Sequence, residues 1–103
     1  MTFSRVSVVK GSRARAPVHK ALNLIDYKDA LKGWDRVLIK VNFITTKTWD
    51  TGATTDPLVV EAIFQRLQDL PLEVIVVESD ATTTNATKAF HATGMAKMCE
   101  RNG

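Results

Sequence analysis

Short apolar runs alternate with longer amphipathic stretches along this chain. Three of the runs are rich in β-branched residues and predict strands, at Phe3 to Lys10, Val37 to Val41 and Val74 to Val77. The second and third runs are almost continuously apolar, as is typical of parallel strands that are covered on both faces. We therefore predict three buried, parallel strands.

Between the strands, apolar residues recur at the spacing of helices. Pro17 opens the first predicted helix, whose apolar positions extend to Leu31, and Gly33 is its terminator. Asp56 and Pro57 suit the N-cap and the first position of a second helix. Each of these helices is predicted to pack an apolar face against the sheet.

After the third run, a polar loop passes through Thr82, Thr83 and Thr84 into a further helix that ends at Gly94, and a short helix follows over Met95 to Arg101. The order β-α-β-α-β-α predicts a three-layer Rossmann-like parallel α/β sheet with right-handed crossovers. We expect residues 1–103 to form a single, minimal or partial domain, the amino-terminal part of a larger one, because three strands make a small sheet.

The net charge of the chain excludes few classes of function. A formal charge of +3 over 103 residues is too small to indicate a nucleic-acid binder. The charges are unevenly spread, however, with a basic cluster near the amino terminus. This cluster is either a solvated surface or a means of steering an anion towards one loop. Its members are Lys10, Arg13, Arg15, His19 and Lys20.

Cysteine usage and the amino terminus favour a cytoplasmic protein. Cys99 is the only cysteine, so the chain can hold neither an internal disulfide nor an iron–sulfur cluster of its own, and packing is its expected role. We find no secretory signal and no segment of membrane-spanning length.

Polar residues follow the second predicted strand, where parallel sheets usually bind ligands. Thr54, Thr55 and Asp56 lead into a helix start, where hydroxyl groups and unpaired backbone N–H groups suit a phosphate or a carboxylate. Lys40 and Asn42, at the end of the strand, add a positive charge and an amide. The alternative is structural: Asp56 caps its helix and the threonines close a turn.

Glu78, Ser79 and Asp80 follow the third predicted strand. They complete the predicted ligand-binding set at this rim. Two carboxylates and a hydroxyl also suit Mg²⁺ held partly by a phosphorylated ligand, although acidic residues often end strands in solvated loops. We therefore predict no metal site from this tripeptide alone.

Several nucleotide-binding motifs are absent from the sequence. The chain has neither G-x-G-x-x-G nor G-x-x-x-x-G-K followed by Ser or Thr. Trp49, in the predicted loop, is the better of the two tryptophans for contacting a ligand.

Five short segments are notable in combination, namely Val8 to Gly11, Val37 to Phe43, Gly52 to Pro57, Ala89-Phe90 and Thr93-Gly94. Together they resemble the amino-terminal part of the prokaryotic domain-of-unknown-function family 362. Members of that family are larger proteins that often carry ferredoxin-like iron–sulfur modules, so the resemblance implies an iron–sulfur partner. Val41 and Asp56 depart from the family pattern, which usually has Pro and often has His at these positions.

Two functions follow from these observations. The first is binding of a small phosphate- or carboxylate-bearing ligand at the carboxyl ends of the strands, with or without catalysis. The alternative is a non-catalytic interaction domain associated with an iron–sulfur redox partner. In either case, the open sheet edges predict a homo-oligomer.

Overall fold

A computed structural model describes residues 3–43, 45–80 and 85–103, so the predicted loop residues Thr82, Thr83 and Thr84 lie outside the described part. Five helices, two strands and one 3-10 turn, at Trp49–Thr51, occur within it. The elements are α1 (Arg15–Asn23), α2 (Tyr27–Ala30), β1 (Arg36–Lys40), α3 (Pro57–Leu67), β2 (Glu73–Val77), α4 (Ala86–Ala92) and α5 (Met95–Arg101).

The two strands pair in parallel, in a register that runs from Arg36 opposite Glu73 to Lys40 opposite Val77. The chain crosses from β1 to β2 through α3. The prediction of an α/β domain with a parallel sheet is therefore confirmed, as are its second and third predicted strands. The parallel register brings the carboxyl ends of both strands to one edge of the sheet.

The predicted first strand is wrong. In the described part of the chain the sheet has two strands, and residues 3–10 form no regular element. Most of the side chains that gave this segment its strand character remain open to solvent, since Phe3, Val6 and Val8 are 82%, 82% and 86% exposed. A β-branched sequence forms a strand only where its side chains find a surface to cover, so local preference was insufficient here.

The core lies on one side of the sheet. The exposure of β1 alternates along the strand, and Leu38, on the outer face, is 59% exposed. The prediction that this strand is covered on both faces is therefore wrong. On the inner face, Ile39 and Val76 pack against a cluster formed by Val41, Phe43, Val60, Ala89, Met95 and Met98.

The first predicted helix is divided into two. It begins at Arg15 rather than Pro17, α1 ends at Asn23, and a turn precedes α2. Asn23 and Asp26 lie in or beside the break, and their short polar side chains compete for backbone hydrogen bonds in a helix. Packing along α3 holds α1 in place, with His19 Nε2 3.0 Å from Ala62 O.

A buried carboxylate joins three helices. The Glu61 side chain on α3 is only 4% exposed, and it accepts hydrogen bonds from Arg15 of α1 and from Arg101 and Asn102 at the end of α5. The distances to Arg101 and Asn102 are 2.6 and 2.8 Å. Hydrogen bonds from Arg101, then Arg15, then Asn102 lower the pKa of Glu61 to about 2.

The end of the chain follows the predicted pattern. Gly94, at a φ of 81°, separates α4 from α5, and left-handed backbone of this kind favours glycine. Cys99 packs beside the core, which confirms its predicted role, and burial raises the pKa of its thiol. None of the helices in the described part is both long and apolar enough to cross a membrane.

Candidate anion-binding site

Three segments meet at the carboxyl edge of the sheet. They are the loop over residues 11–14, the loop between β1 and α3, and the residues that follow β2. Arg13 of the first contacts Asp56 of the second, and the backbone N–H of Phe43 in the second donates to Glu78 of the third, at 3.1 Å. The parallel register thus brings the predicted site residues to a common rim.

Asn42, Thr54 and Thr55 are tied to the loop that contains them. The Asn42 N–H donates to Thr55 Oγ1 at 2.8 Å, and Asn42 Nδ2 donates to Ala53 O at 3.1 Å. The Thr54 hydroxyl donates to Lys47 O at 3.0 Å, and Thr54 is 8% exposed. These polar groups close the loop, and they shape the rim whether or not a ligand is bound.

Asp56 has two roles: it caps α3, as the sequence predicts, and it pairs with Arg13. It is the N-cap of α3, and its Oδ1 accepts a hydrogen bond of 3.0 Å from the Leu58 N–H. It also forms a bidentate pair with Arg13, at 2.7 and 2.8 Å. Partial burial raises the pKa of Asp56, but the bonds from Arg13 and Leu58 outweigh it, so the pKa lies below its usual range.

Arg13 is the rim residue that the predicted ligand-binding set omits. Its guanidinium stacks on the ring of Trp49, with 3.9 Å to the centroid. The basic cluster near the amino terminus and the loop position of Trp49 were the available signals, but neither identifies a partner 43 residues away in Asp56. Arg13, Trp49 and Asp56 line an open cavity of about 270 Å³.

Lys40 and Glu78 face each other across the two strand ends. The Lys40 Nζ lies 3.5 Å from Glu78 Oε1, and the Lys40 side chain is 73% exposed while that of Glu78 is 8% exposed. Backbone N–H groups of Ser79 and Phe43 donate to the two carboxylate oxygens and lower the pKa of Glu78. Glu78 therefore holds the rim together as an anion, and Lys40 extends from it into solvent.

The remaining acidic residue of the predicted set, Asp80, serves helix α4. Asp80 Oδ1 accepts a hydrogen bond of 2.6 Å from the Ala86 N–H, and Asn85 caps the helix through Lys88 N–H at 3.1 Å. Ser79 uses its backbone N–H toward Glu78. Among the residues that the structure describes, no three His, Cys, Asp or Glu side chains are grouped as metal ligands. The structure therefore adds nothing in favour of magnesium.

The sequence profile of the domain of unknown function DUF362 matches residues 37–103. The chain belongs to this family. The match confirms the resemblance drawn from the sequence motifs, and it includes every predicted site residue from Lys40 to Asp80, whereas Arg13 precedes it. No curated protein and no solved structure matches the chain.

Proposed function

We propose that this DUF362 protein binds a small anionic ligand, bearing a phosphate or a carboxylate, at the carboxyl rim of its sheet, in the cytoplasm. The observation that carries the proposal is the meeting of three loops at one edge, with Arg13 and Lys40 among its exposed cations. Ligands of open parallel sheets typically bind at this edge. A Rossmann-like arrangement is part of the proposal, supported by the parallel crossover and by the packing of α1 along α3.

Lys40 is the residue best placed to meet a ligand. Both oxygens of Glu78 already accept backbone hydrogen bonds, and the Lys40 ammonium lies 3.5 Å from one of them. Because the Lys40 side chain is 73% exposed, water screens this pair and it contributes little free energy. Lys40 can therefore turn one or more of its three N–H donors toward an anion at low cost.

The amino terminus of α1 supports the same proposal. Its N-cap is Ala14, which has no side-chain capping bond, and its first turn contains no acidic residue. Uncapped N–H groups at a helix start favour negative charge. They follow directly on Arg13 in the chain, so they add to the positive potential of this part of the rim.

Phosphate or ADP is expected to raise the melting temperature of the protein, by roughly 5 °C at about tenfold excess over Kd, since ligand binding stabilises the folded state. Lys40→Ala should remove most of this shift. Differential scanning fluorimetry with each anion, at constant ionic strength, makes the measurement.

Lys32→Ala is the matched control, because Lys32 is an exposed lysine that precedes β1 and so lies toward the opposite end of the strand. It should behave as the unsubstituted protein does. If phosphate, ADP and a carboxylate such as cyclohexanecarboxylate all leave the melting temperature of the unsubstituted protein unchanged, the proposal is wrong.

The second candidate is a non-catalytic interaction domain that serves an iron–sulfur partner, as the family resemblance implies. The observation in its favour is exposed apolar surface, which often marks protein–protein contacts. Leu38 on β1 and the segment with Phe3, Val6 and Val8 supply that surface. A partner chain would cover the outer face of the sheet without using the rim.

Self-association is also expected. The edges of the sheet are open, because β1 and β2 have no further strand partner in the described part of the chain. The exposed outer face of β1 adds apolar surface beside these edges. Light scattering at high concentration should give a mass above that of one chain. Leu38→Lys should shift the distribution towards the monomer, since a charge on the outer face of β1 opposes packing there. A clean monomer for the unsubstituted protein contradicts this expectation.

A further inference from the structure

We infer that Arg13 binds the carboxylate group of the ligand. Without a ligand, the Asp56 carboxylate occupies the same position on Arg13, and the ligand must displace it. The inference rests on the proposed function and specifies both the ligand class and the regulation of the rim. It assigns a binding role to a residue that precedes the family match.

The geometry of the pair is that of a bound ligand. Asp56 meets Arg13 through Nε and Nη2, at 2.7 and 2.8 Å. Two parallel N–H bonds to a planar, two-oxygen anion form the pairing that a guanidinium recognises best. The centroid of the Trp49 ring lies 3.9 Å from the guanidinium carbon of Arg13. This stacking restricts the orientation of the guanidinium plane. Arg13 is therefore preorganised for a carboxylate rather than for a point charge.

Asp56 can release Arg13 without uncapping α3. Its Oδ1 also accepts the Leu58 N–H, at 3.0 Å, and that bond needs no contribution from Arg13. The Arg13 side chain is 43% exposed, so water partly screens the pair, although Asp56 is only 17% exposed and the bidentate geometry favours the pairing. Exchange of Asp56 for an external carboxylate therefore replaces one pairing with another and leaves the fold intact.

The cavity beside the pair indicates what the carboxylate is attached to. It has a volume of about 270 Å³, and much of its wall is apolar. An apolar wall next to the guanidinium group suits a carboxylic acid with a compact hydrocarbon body. Inorganic phosphate has no apolar part that could contact this wall. The apolar lining residues are Ala14, Pro17, Val18, Trp49, Leu58 and Val59.

The segment that carries Arg13 is tightly packed at its start. A Cβ at Gly11 would lie 2.7 Å from Cγ of Pro17 in α1, so a residue without a side chain is required there. This close approach fixes the path of the backbone into α1, and it places Arg13 against Trp49 and Asp56. The backbone constraint at Gly11 and the side-chain contacts of Arg13 thus both limit where the guanidinium can lie.

Trp49 fluorescence tests the inference directly. A Trp34→Phe background leaves Trp49 as the single tryptophan of the chain. Titration with cyclohexanecarboxylate, which does not absorb in the tryptophan range, should change the Trp49 emission as Arg13 leaves Asp56. Asp56→Asn should tighten binding about fivefold, because it removes a competing charge pair of modest strength and retains a good N-cap. Arg13→Gln should weaken binding more than tenfold.

Asp26→Asn is the matched control, since Asp26 is in an exposed pair with Arg5 that lies 3.3 Å apart and away from the rim. It should leave the affinity unchanged, and acetate should bind more weakly than cyclohexanecarboxylate. Equal affinity in Asp56→Asn and the background protein, or unchanged binding in Arg13→Gln, overturns the inference. If phosphate still stabilises the protein through Lys40 in that case, the proposed function survives; if neither anion binds, both fail.

Discussion

Replacing Glu61 with Gln is expected to lower the free energy of unfolding by about 2 kcal/mol at pH 7. The fall of the Glu61 pKa from 4.5 to about 2 corresponds to about 3 kcal/mol of favourable interaction in the folded state. Water screens part of this, because the Arg15 and Arg101 side chains are 46% and 59% exposed. Gln preserves the shape of the side chain but leaves the two arginines without a counter-charge.

The effect depends on pH in a defined direction. A carboxyl whose folded-state pKa is depressed stabilises the fold fully above its unfolded value, here 4.5. That contribution is lost as the pH falls from about 4.5 towards 2, where the Glu61 carboxylate becomes protonated in the folded protein too. The difference between the two proteins in urea unfolding should therefore be largest above pH 5 and vanish near pH 2.

Glu73→Gln is the matched control. Glu73 also pairs with an arginine, Arg36, at 2.8 Å, but these two side chains are 58% and 63% exposed. An exposed pair contributes only about 0–1 kcal/mol. If Glu61→Gln costs no more than Glu73→Gln, then the buried carboxylate does not hold α1, α3 and α5 together in the way the geometry indicates.

Replacing Phe43 with Ala is expected to cost about 3–5 kcal/mol, which is typical of a fully buried aromatic side chain. Phe43 is 2% exposed, and its ring meets that of Phe90 edge to face at a centroid distance of 4.9 Å. A domain of this size is stable by only about 5–15 kcal/mol. Urea unfolding should therefore show a protein that is close to the limit of folding at 37 °C.

The same substitution should loosen the rim. Phe43 pairs with Thr54 across the loop, and its N–H reaches Glu78 at 3.1 Å. Hydrogen exchange at the Thr55 amide, which donates to Asn42 O at 3.1 Å, should accelerate more than in Phe43→Leu. Val59→Ala serves as the control for a truncated apolar side chain, because Val59 is 37% exposed and should cost under about 1 kcal/mol. A cost for Phe43→Ala as small as that of Val59→Ala contradicts the prediction.

Elements with strong local signals were predictable. Asp56 and Pro57 mark the start of α3, and Gly94 separates the last two helices, because caps and left-handed turns depend on a few adjacent residues. Parallel pairing of β1 with β2 followed from the helix between them. These features involve contacts that are close in sequence, or a connection that permits few topologies.

Elements that depend on distant partners were not predictable. The segment at residues 3–10 has the composition of a strand, yet its apolar side chains are exposed. Arg13 and Arg15 look alike in the basic cluster, but Arg13 pairs with Asp56 at the rim and Arg15 with buried Glu61. Glu61 itself stands among the apolar residues of α3, which is a signal that a partner is needed, although not of which one.

From the sequence alone came the start of α3, the break between α4 and α5, the parallel order of the two strands, the family, and the chain positions of the polar residues that follow each strand. Tertiary structure alone decided that the first apolar run stays outside the sheet, that one face of β1 is open, and which acid each arginine meets. The reason is that helix starts and crossovers are governed by neighbouring residues, whereas burial and ion pairing depend on surfaces that only the folded chain brings together.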